Sequence, residues 1–146
     1  MPRLLVVHHT PSPNLQALLE AAREGVAMVE EVELVVRPAL SAGAADVLEA
    51  DGVLLGTTAN IGYMSGALKH FFDTVYYPCL DATVGLPYGV YVHGGDDTAG
   101  ALTAIQRITG ALRWKQVAAP LSIIGAPGPD DLEACRELAA TVAISL

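Results

Sequence analysis

The sequence predicts an α/β fold in which a five-stranded parallel sheet, in the order 2-1-3-4-5, is covered by helices on both faces. Five short apolar runs are bounded by turn residues, as strands buried on both faces are. Between these runs the apolar residues recur at helical spacing. With 146 residues, 52% of them hydrophobic, the chain is long enough for one domain with a substantial core, residues 1–146. Right-handed crossovers between successive strands then produce a three-layer sandwich.

The strands are predicted from their apolar content. Residues 3–8 (RLLVVH) and 51–56 (DGVLLG) are short apolar runs between turn residues. Residues 32–37 (VELVVR) and 88–93 (YGVYVH) are similar, with more alternation in the second of them. A fifth run, residues 120–125 (PLSIIG), completes the set.

The helices are predicted from one-sided apolar faces between the strands. The second helix is predicted over the short alanine-rich segment 42–50, and the closing helix follows the fifth strand. The apolar faces of the other helices are Leu15, Leu18, Leu19 and Ala22; Leu68, Phe71, Phe72, Val75 and Tyr76; Ala101, Leu102, Ile105, Ile108 and Leu112; and Leu132, Leu138 and Val142.

In a sheet of this order, ligands bind at the carboxyl ends of strands 1, 3 and 4, around the point where the strand order reverses. The loop after strand 1 reads HHTPSPN. Ser12 is placed as a helix N-cap and Pro13 at the first helical position, which leaves amides of this turn free. Such a helix start attracts phosphate, and Thr10 and Asn14 add side-chain donors. Taken alone, the same residues also fit a plain helix cap.

The other two loops are also polar and contain glycine. Residues 57–62 (TTANIG) offer hydroxyl, amide and bare backbone groups, and Gly62 can adopt a positive φ. After strand 4, residues 93–97 (HGGDD) combine two glycines with acidic caps for the next helix. Each loop alone fits a turn or a cap. Their concentration at the three positions that the topology designates favours a ligand site.

Charge and cysteine content limit the classes of partner. A net charge of -8 and a pI near 4.7 disfavour a nucleic acid or an anionic membrane and favour a small molecule or a basic protein surface. The two cysteines, Cys79 and Cys135, have no metal-ligand spacing, as expected for a reduced intracellular chain. The apolar run near the amino terminus is too short for the core of a signal peptide, and no apolar run is long enough to span a membrane. We therefore expect a cytoplasmic protein.

The stretch GTTANIGYMSGALK, residues 56–69, resembles the second flavin loop of NADPH-dependent FMN reductases and of Trp-repressor-binding-protein-type NAD(P)H:quinone oxidoreductases, which are flavodoxin-like flavoproteins. HHTPSPN and HGGDD are similar in position to the phosphate loop and the third flavin loop of that family. The resemblance extends over essentially the whole chain. The residues that match in the second loop are Gly56, Thr57, Gly62, Met64, Ser65, Gly66, Leu68 and Lys69.

The resemblance implies a flavodoxin-like domain that binds FMN non-covalently, with NAD(P)H as electron donor. No side chain is then needed as a catalytic base, because the chemistry occurs on the flavin. The phosphate would lie on the first loop, the ring edge on the second, and the far side of the ring with the ribityl chain near the third. The implied cofactor-binding residues are His9, Thr10, Ser12, Pro13, Asn14 and Leu15; Thr57, Thr58, Ala59, Asn60, Ile61 and Gly62; and His93, Gly94, Gly95, Asp96 and Asp97.

Three functions remain open. The first is an NAD(P)H-dependent FMN or quinone reductase that passes electrons to a small-molecule acceptor. The second is a short flavodoxin, a non-enzymatic carrier whose acidic surface docks a basic redox protein. The third is a fold member that no longer binds flavin, because Pro13 and Leu15 replace a glycine and a hydroxyl residue of the phosphate loop.

The sequence lacks the residues that several other kinds of site require. His8, His9 and His93 end strands, but no carboxylate stands at ligand spacing, so we expect no metal site. A receiver aspartate, a phosphatase C-x5-R loop and a G-x-S-x-G elbow are all absent. The segment YYP, residues 76–78, is expected to follow the third helix, either as a homodimer contact or as a shield for the flavin.

Overall fold

The computed structural model, which describes residues 1–146, has the predicted alternation of strands and helices. The strands are β1 (Arg3–His8), β2 (Glu33–Pro38), β3 (Gly52–Asn60), β4 (Tyr63–Met64), β5 (Pro87–Gly94), β6 (Lys115–Gln116) and β7 (Leu121–Ile124). The helices are α1 (Pro13–Ala27), α2 (Ala44–Leu48), α3 (Gly66–Cys79), α4 (Ala99–Ala111) and α5 (Pro129–Ile144).

The main sheet is parallel and has the order β2-β1-β3-β5, with β6 and β7 beside β5. This confirms the predicted order 2-1-3-4-5, since β5 is the fourth strand of the parallel sheet and β6 and β7 share the fifth position. The predicted strand over 120–125 is present as β7, whereas the two-residue strand β6, which also pairs with β5, was not predicted. Pro120 has no N–H to donate to β5, and it lies in the segment that separates β6 from β7.

Two hydrophobic cores lie on opposite faces of the sheet, which explains the three layers. One core joins Leu5, Val7 and Leu55 to the apolar faces of α3 and α4. The other joins Leu4, Val6, Leu54 and Tyr91 to α1 and α5. Side chains along a strand alternate between these two cores. Within β1, β3 or β5, every second side chain therefore faces α3 and α4, and the ones between them face α1 and α5.

Two helices differ from their predicted bounds. α2 has five residues rather than the predicted segment 42–50, because Gly43 occupies its N-cap and its backbone N–H is bonded to Asp46. Residues 76–78 lie in the last turn of α3 and do not follow it. Pro78 has no N–H for a helical hydrogen bond, and α3 ends at the next residue, Cys79.

No helix of the protein is both long and apolar enough to cross a bilayer. Cys79 and Cys135 are free, buried thiols that belong to different cores. No three histidine, cysteine or acidic side chains converge in the way that metal ligands do.

Candidate functional site

The three predicted loops meet at the carboxyl edge of the sheet. β1, β3 and β5 are adjacent, with His8 opposite Gly56 and Thr58 opposite His93. The amide of His9 donates to the Gly56 carbonyl at 2.9 Å, which holds the first loop against the second. The topology therefore brings together segments that are separated by more than eighty residues in sequence.

The first loop ends in a capped helix start with free amides. Ser12 is the N-cap of α1 and Pro13 its first residue, as predicted, and Ser12 Oγ accepts from the Leu15 amide at 3.4 Å. The backbone amides of Thr10, Ser12 and Asn14 donate to no group of the protein. Three free N–H groups at the positive end of a 15-residue helix form a surface that attracts an anion.

The Thr58 hydroxyl is the clearest sign of a missing partner at this edge. Its Oγ1 atom is buried and has no hydrogen-bond partner. Thr58 follows Leu54 by four residues on β3, so both side chains point to the same face of the sheet. Leu54 packs against α1, and the Thr58 hydroxyl therefore faces the α1 side. A buried hydroxyl without a partner costs about 1–3 kcal/mol. A ligand on the α1 side of the edge would satisfy it.

Thr57 behaves differently from its neighbour. Its side chain is fully buried on the opposite face, where Oγ1 donates to Ser65 Oγ at 2.8 Å. Ser65 in turn accepts from the Leu68 amide at 3.1 Å and caps α3. The Thr57 hydroxyl thus joins β3 to α3, and of this residue only the backbone faces the edge.

The rest of the second loop is a hairpin, whereas the sequence predicted only a polar loop with a turn. β3 continues to Asn60 and pairs with β4, where Asn60 lies opposite Tyr63. Ile61 and Gly62 form the turn with φ of 50° and 74°, and these two positive φ values suit a tight hairpin. The positive φ predicted for Gly62 is confirmed. The Ile61 side chain is fully exposed and Tyr63 is 42% exposed.

The hairpin is held against the start of α4. A Cβ on Gly100 would lie 2.0 Å from the Gly62 carbonyl oxygen, so the close approach requires glycine at position 100. A groove of about 370 Å³ runs along this junction. It is lined by Tyr63, Gly100, Thr103, Ala104, Arg107 and Ile108.

The third loop joins β5 to the β7–α5 turn. His93 Nε2 lies 2.8 Å from the Gly125 carbonyl, to which it donates, and the Gly125 amide donates to the Gly94 carbonyl at 3.0 Å. Gly95, Asp96 and Asp97 remain exposed on the rim.

Two residues stand at the start of α4, and of these only Asp97 caps the helix with its side chain. Asp97 Oδ1 accepts from the Ala99 amide at 2.9 Å. Thr98 occupies the N-cap position, but its hydroxyl is hydrogen-bonded to Ser122 and not to an amide of the helix. A Cβ on Gly94 would lie 3.5 Å from the Ala59 Cβ, so the second and third loops are in contact.

His8 lies at the candidate site but is not among the cofactor-binding residues that the resemblance implied. Its ring Nδ1 lies 2.7 Å from Thr10 Oγ1, in the first loop. Burial lowers the pKa of His8, with smaller contributions from the positive charges of Arg23 and His9. The imidazole is therefore neutral at neutral pH. The sequence signal was the doubled histidine at the end of the first strand, next to the loop with the capped helix start.

Solved structures of other proteins share this fold. No family model matches the sequence. The solved structures with similar folds include a WrbA-like flavodoxin from Agrobacterium tumefaciens, with a TM-score of 0.81, 18% identity and coverage of 99% of this chain and 97% of that one. A flavodoxin from the domain Archaea has a TM-score of 0.86 at 20% identity, covering 98% and 97%. Flavodoxin 2 from Bacillus cereus has a TM-score of 0.83 at 22% identity, covering 99% of each chain. The chain therefore has the flavodoxin-like fold.

A similarity in sequence points the same way. A flavodoxin from Aquifex aeolicus (strain VF5) is 35% identical over 75 residues. The match includes 51% of this chain and spans 40% of the length of that protein. It thus relates about half of the domain to a flavodoxin.

Proposed function

We propose that this protein binds FMN non-covalently at the carboxyl edge of its sheet and acts as an electron carrier of the flavodoxin type. The observation that carries the proposal is the buried, unpartnered hydroxyl of Thr58 on the α1 side of the edge. It accompanies the free amides of Thr10, Ser12 and Asn14. Together they provide the donors that a phosphate monoester needs, without any lysine or arginine.

The two unusual residues of the phosphate loop are compatible with this site. Pro13 is the first residue of α1, a position whose N–H has no intrahelical partner in any helix, so its absence removes no helical hydrogen bond. The Leu15 side chain is fully buried in the core between α1, α5 and the sheet, where it anchors the helix. Thr58 offers the hydroxyl that position 15 lacks.

The ring would lie along the hairpin and the third loop. Asn60, Ile61 and Gly62 present exposed backbone and one amide side chain, and Gly95 and Asp97 are exposed on the third loop. Backbone donors of this kind orient a flat ring and stabilise charge on it. FMN, when bound, supplies the electron transfer, and the chain supplies its position and its surroundings.

The carrier function is favoured over an enzyme by two features. The 35%-identical relative is a flavodoxin, as are several structural neighbours. The net charge of -8, with Asp96 and Asp97 on the rim, suits a basic redox protein as partner.

Titration of the apoprotein with FMN, followed by flavin fluorescence, tests the proposal. We expect saturable 1:1 binding, with riboflavin binding more weakly because it lacks the phosphate. Absence of saturable binding at micromolar protein would contradict it and favour a fold member that binds no flavin.

Two variants test the phosphate end and the ring end of the proposed FMN site separately. Thr58→Val should weaken FMN binding about ten- to a hundredfold, the value of a hydrogen bond to a charged group, and leave riboflavin binding unchanged. Asn60→Leu should weaken both ligands. Thr74→Val, on the exposed face of α3, is the matched control and should change neither. Unchanged FMN affinity in Asn60→Leu would place the ring elsewhere.

A second candidate, the NAD(P)H-dependent FMN or quinone reductase, is favoured by the groove beside the hairpin. Arg107 lines it and pairs with no carboxylate, whereas the ammonium of Lys69 outside the groove is paired with Asp73. The unpaired guanidinium and the exposed ring of Tyr63, next to the hairpin along which the flavin would lie, suit an anionic, aromatic electron donor. Steady NADPH consumption by the FMN-loaded protein with a quinone, and a raised KM in Arg107→Gln, would support this function. A carrier should hardly turn over.

A further inference from the structure

The hydrogen bond between His8 and Thr10 has a direction that depends on what lies beyond Thr10. The atoms Nδ1 and Oγ1 are 2.7 Å apart, a full hydrogen bond. A hydroxyl carries one proton, and a neutral imidazole has one donor and one acceptor nitrogen. Without a ligand, Thr10 can donate to Nδ1. When an acceptor-only group lies on the other side of Thr10, its proton turns to that group and Nδ1 must become the donor.

We propose that His8 is a positioning residue for a phosphate on the first loop: it donates from Nδ1 to Thr10, so that Thr10 donates to the phosphate, and the imidazole takes up a proton as the dianion binds. The inference rests on the proposed function, because the free amides next to Thr10 are taken as the phosphate site. It adds a charge that the loop otherwise lacks. No lysine or arginine lies between residues 4 and 22.

The groups around His8 leave its imidazole neutral until an anion arrives. Burial is the main reason that the pKa of His8 is lowered, and Arg23 of α1 and His9 add to it. On β2, Pro38 lies opposite His8, and the guanidinium of the preceding Arg37 pairs with Asp46 of α2, at 3.6 Å. Because the carboxylate of Asp46 is paired with Arg37, no unpaired carboxylate among these groups offsets the burial.

The groups on the other side of His8 carry no charge at neutral pH. From β5, the Tyr91 phenol lies over Gly56, the residue opposite His8 on β3, and burial raises the pKa of Tyr91 far above its usual value. Behind it on α5, burial raises the pKa of the Cys135 thiol to about 12. A phosphate dianion would therefore be the first negative charge next to this imidazole, and it would raise the pKa of His8.

The pH dependence of FMN binding follows from the pKa of His8 in the free and in the FMN-bound protein. Free His8 has a pKa below the ordinary value of about 6.5, and the bound state has a higher one. Between the two values FMN binding takes up a proton, so affinity increases as pH falls. Each unit by which binding raises the pKa is a tenfold gain in affinity across that window. The phosphate itself has a pKa near 6, and its protonation lowers FMN affinity as pH falls. This effect opposes that of His8 and is the same in every variant.

The decisive measurement is the protonation and tautomer of His8 in the intact protein, read from ring-nitrogen chemical shifts by NMR. Three states are compared: no ligand, FMN, and riboflavin, which has the ring but no phosphate. We expect FMN to raise the pKa of His8 by about one unit or more and to place a proton on Nδ1. Riboflavin should leave both unchanged. Equal pKa and tautomer in the FMN and riboflavin complexes would overturn the proposal.

Two variants of His8 test the same idea through affinity. His8→Asn places a neutral amide donor near the position of Nδ1, so it should bind FMN like the parent at about pH 8 and lose the gain at lower pH. His8→Phe, without a donor, should bind FMN more weakly at every pH and riboflavin normally. His70→Asn, on the exposed face of α3, is the matched control and should keep the parental pH profile.

The outcomes separate this inference from the proposed function. An unaltered pH profile in His8→Asn, with FMN still bound, would overturn the role of His8 and leave the FMN site intact. Failure of the parent protein to bind FMN at any pH would overturn both. If His8→Phe does not fold, the NMR comparison on the parent protein still decides.

Discussion

Gly56, the third-strand residue opposite His8, lies directly beneath the ring of Tyr91, and replacement by alanine tests this contact. A Cβ at position 56 would lie 2.1 Å from Tyr91 Cζ and 2.2 Å from its hydroxyl oxygen. An ordinary carbon–carbon contact is about 3.5 Å, so the ring would have to withdraw by about an ångström or more. Tyr91 is fully buried between α1, α5 and the sheet, where protein interiors are close-packed.

The expected cost of Gly56→Ala is at the upper end of overpacking penalties, about 3 kcal/mol. The reason is that the obstructing atoms belong to a rigid, buried ring and not to the end of a flexible side chain. For a chain of this size, each kcal/mol corresponds to roughly 2–4 °C in Tm, so the melting temperature should fall by roughly 6–12 °C.

Urea denaturation of the parent and variant measures the effect as a shift in midpoint at unchanged slope. Tyr91→Leu, which removes the obstructing atoms, should make the double variant with Gly56→Ala more stable than the sum of the single effects by about 1 kcal/mol or more. Gly110→Ala, at an open helical position of α4, should instead stabilise by about 0.5–1 kcal/mol. A loss below about 0.5 kcal/mol in Gly56→Ala, or strict additivity in the double variant, would refute the contact.

Three further predictions concern hydrogen bonds and pH. Ser65→Ala removes the cap that accepts from the Leu68 amide at 3.1 Å and should cost about 1–2 kcal/mol in urea denaturation; no change would mean that α3 needs no cap. Trp114→Phe removes the buried donor to Thr83, 2.9 Å away, and should lower stability by about 1 kcal/mol or more, whereas an unchanged midpoint would argue against that bond. Because the folded chain lowers the pKa of His8, the unfolded state binds the extra proton first, so stability should fall as pH drops below about 6.5 and this component should level off below the folded value. His8→Asn should show a smaller loss between about pH 7.5 and pH 5, and an equal loss in both proteins would contradict the assignment.

The order of the sheet was predictable from short patterns. A buried strand needs four to six apolar residues and a covering helix needs an apolar stripe, and both can be read within a window of about 15 residues. The bounds of β1 and the N-cap of α1 at Ser12 followed directly. The split of the fifth strand into β6 and β7 did not, because the pairing of Lys115 and Gln116 with β5 leaves no hydrophobic pattern of its own.

The candidate site was predictable as a set of loops but not as a set of contacts. The hydroxyls of Thr57 and Thr58 are equivalent in the sequence. In the structure, one is bonded to Ser65 on the α3 side and the other is buried without a partner on the α1 side. The pleat of β3 makes this difference, and predicting it requires knowing where the strand begins and which helix covers each face.

Local rules therefore account for the elements, their order and the edge at which the candidate site lies, because each depends on the burial periodicity of neighbouring residues and on the handedness of the crossovers. The tertiary structure alone established the contacts that give this edge its chemistry. The ring of Tyr91 lies over Gly56, the Gly62 carbonyl rests against Gly100, and the amides of α1 share a side of the sheet with Thr58. These residues are tens of positions apart, and strand register and packing, which no local pattern encodes, bring them within ångströms of one another.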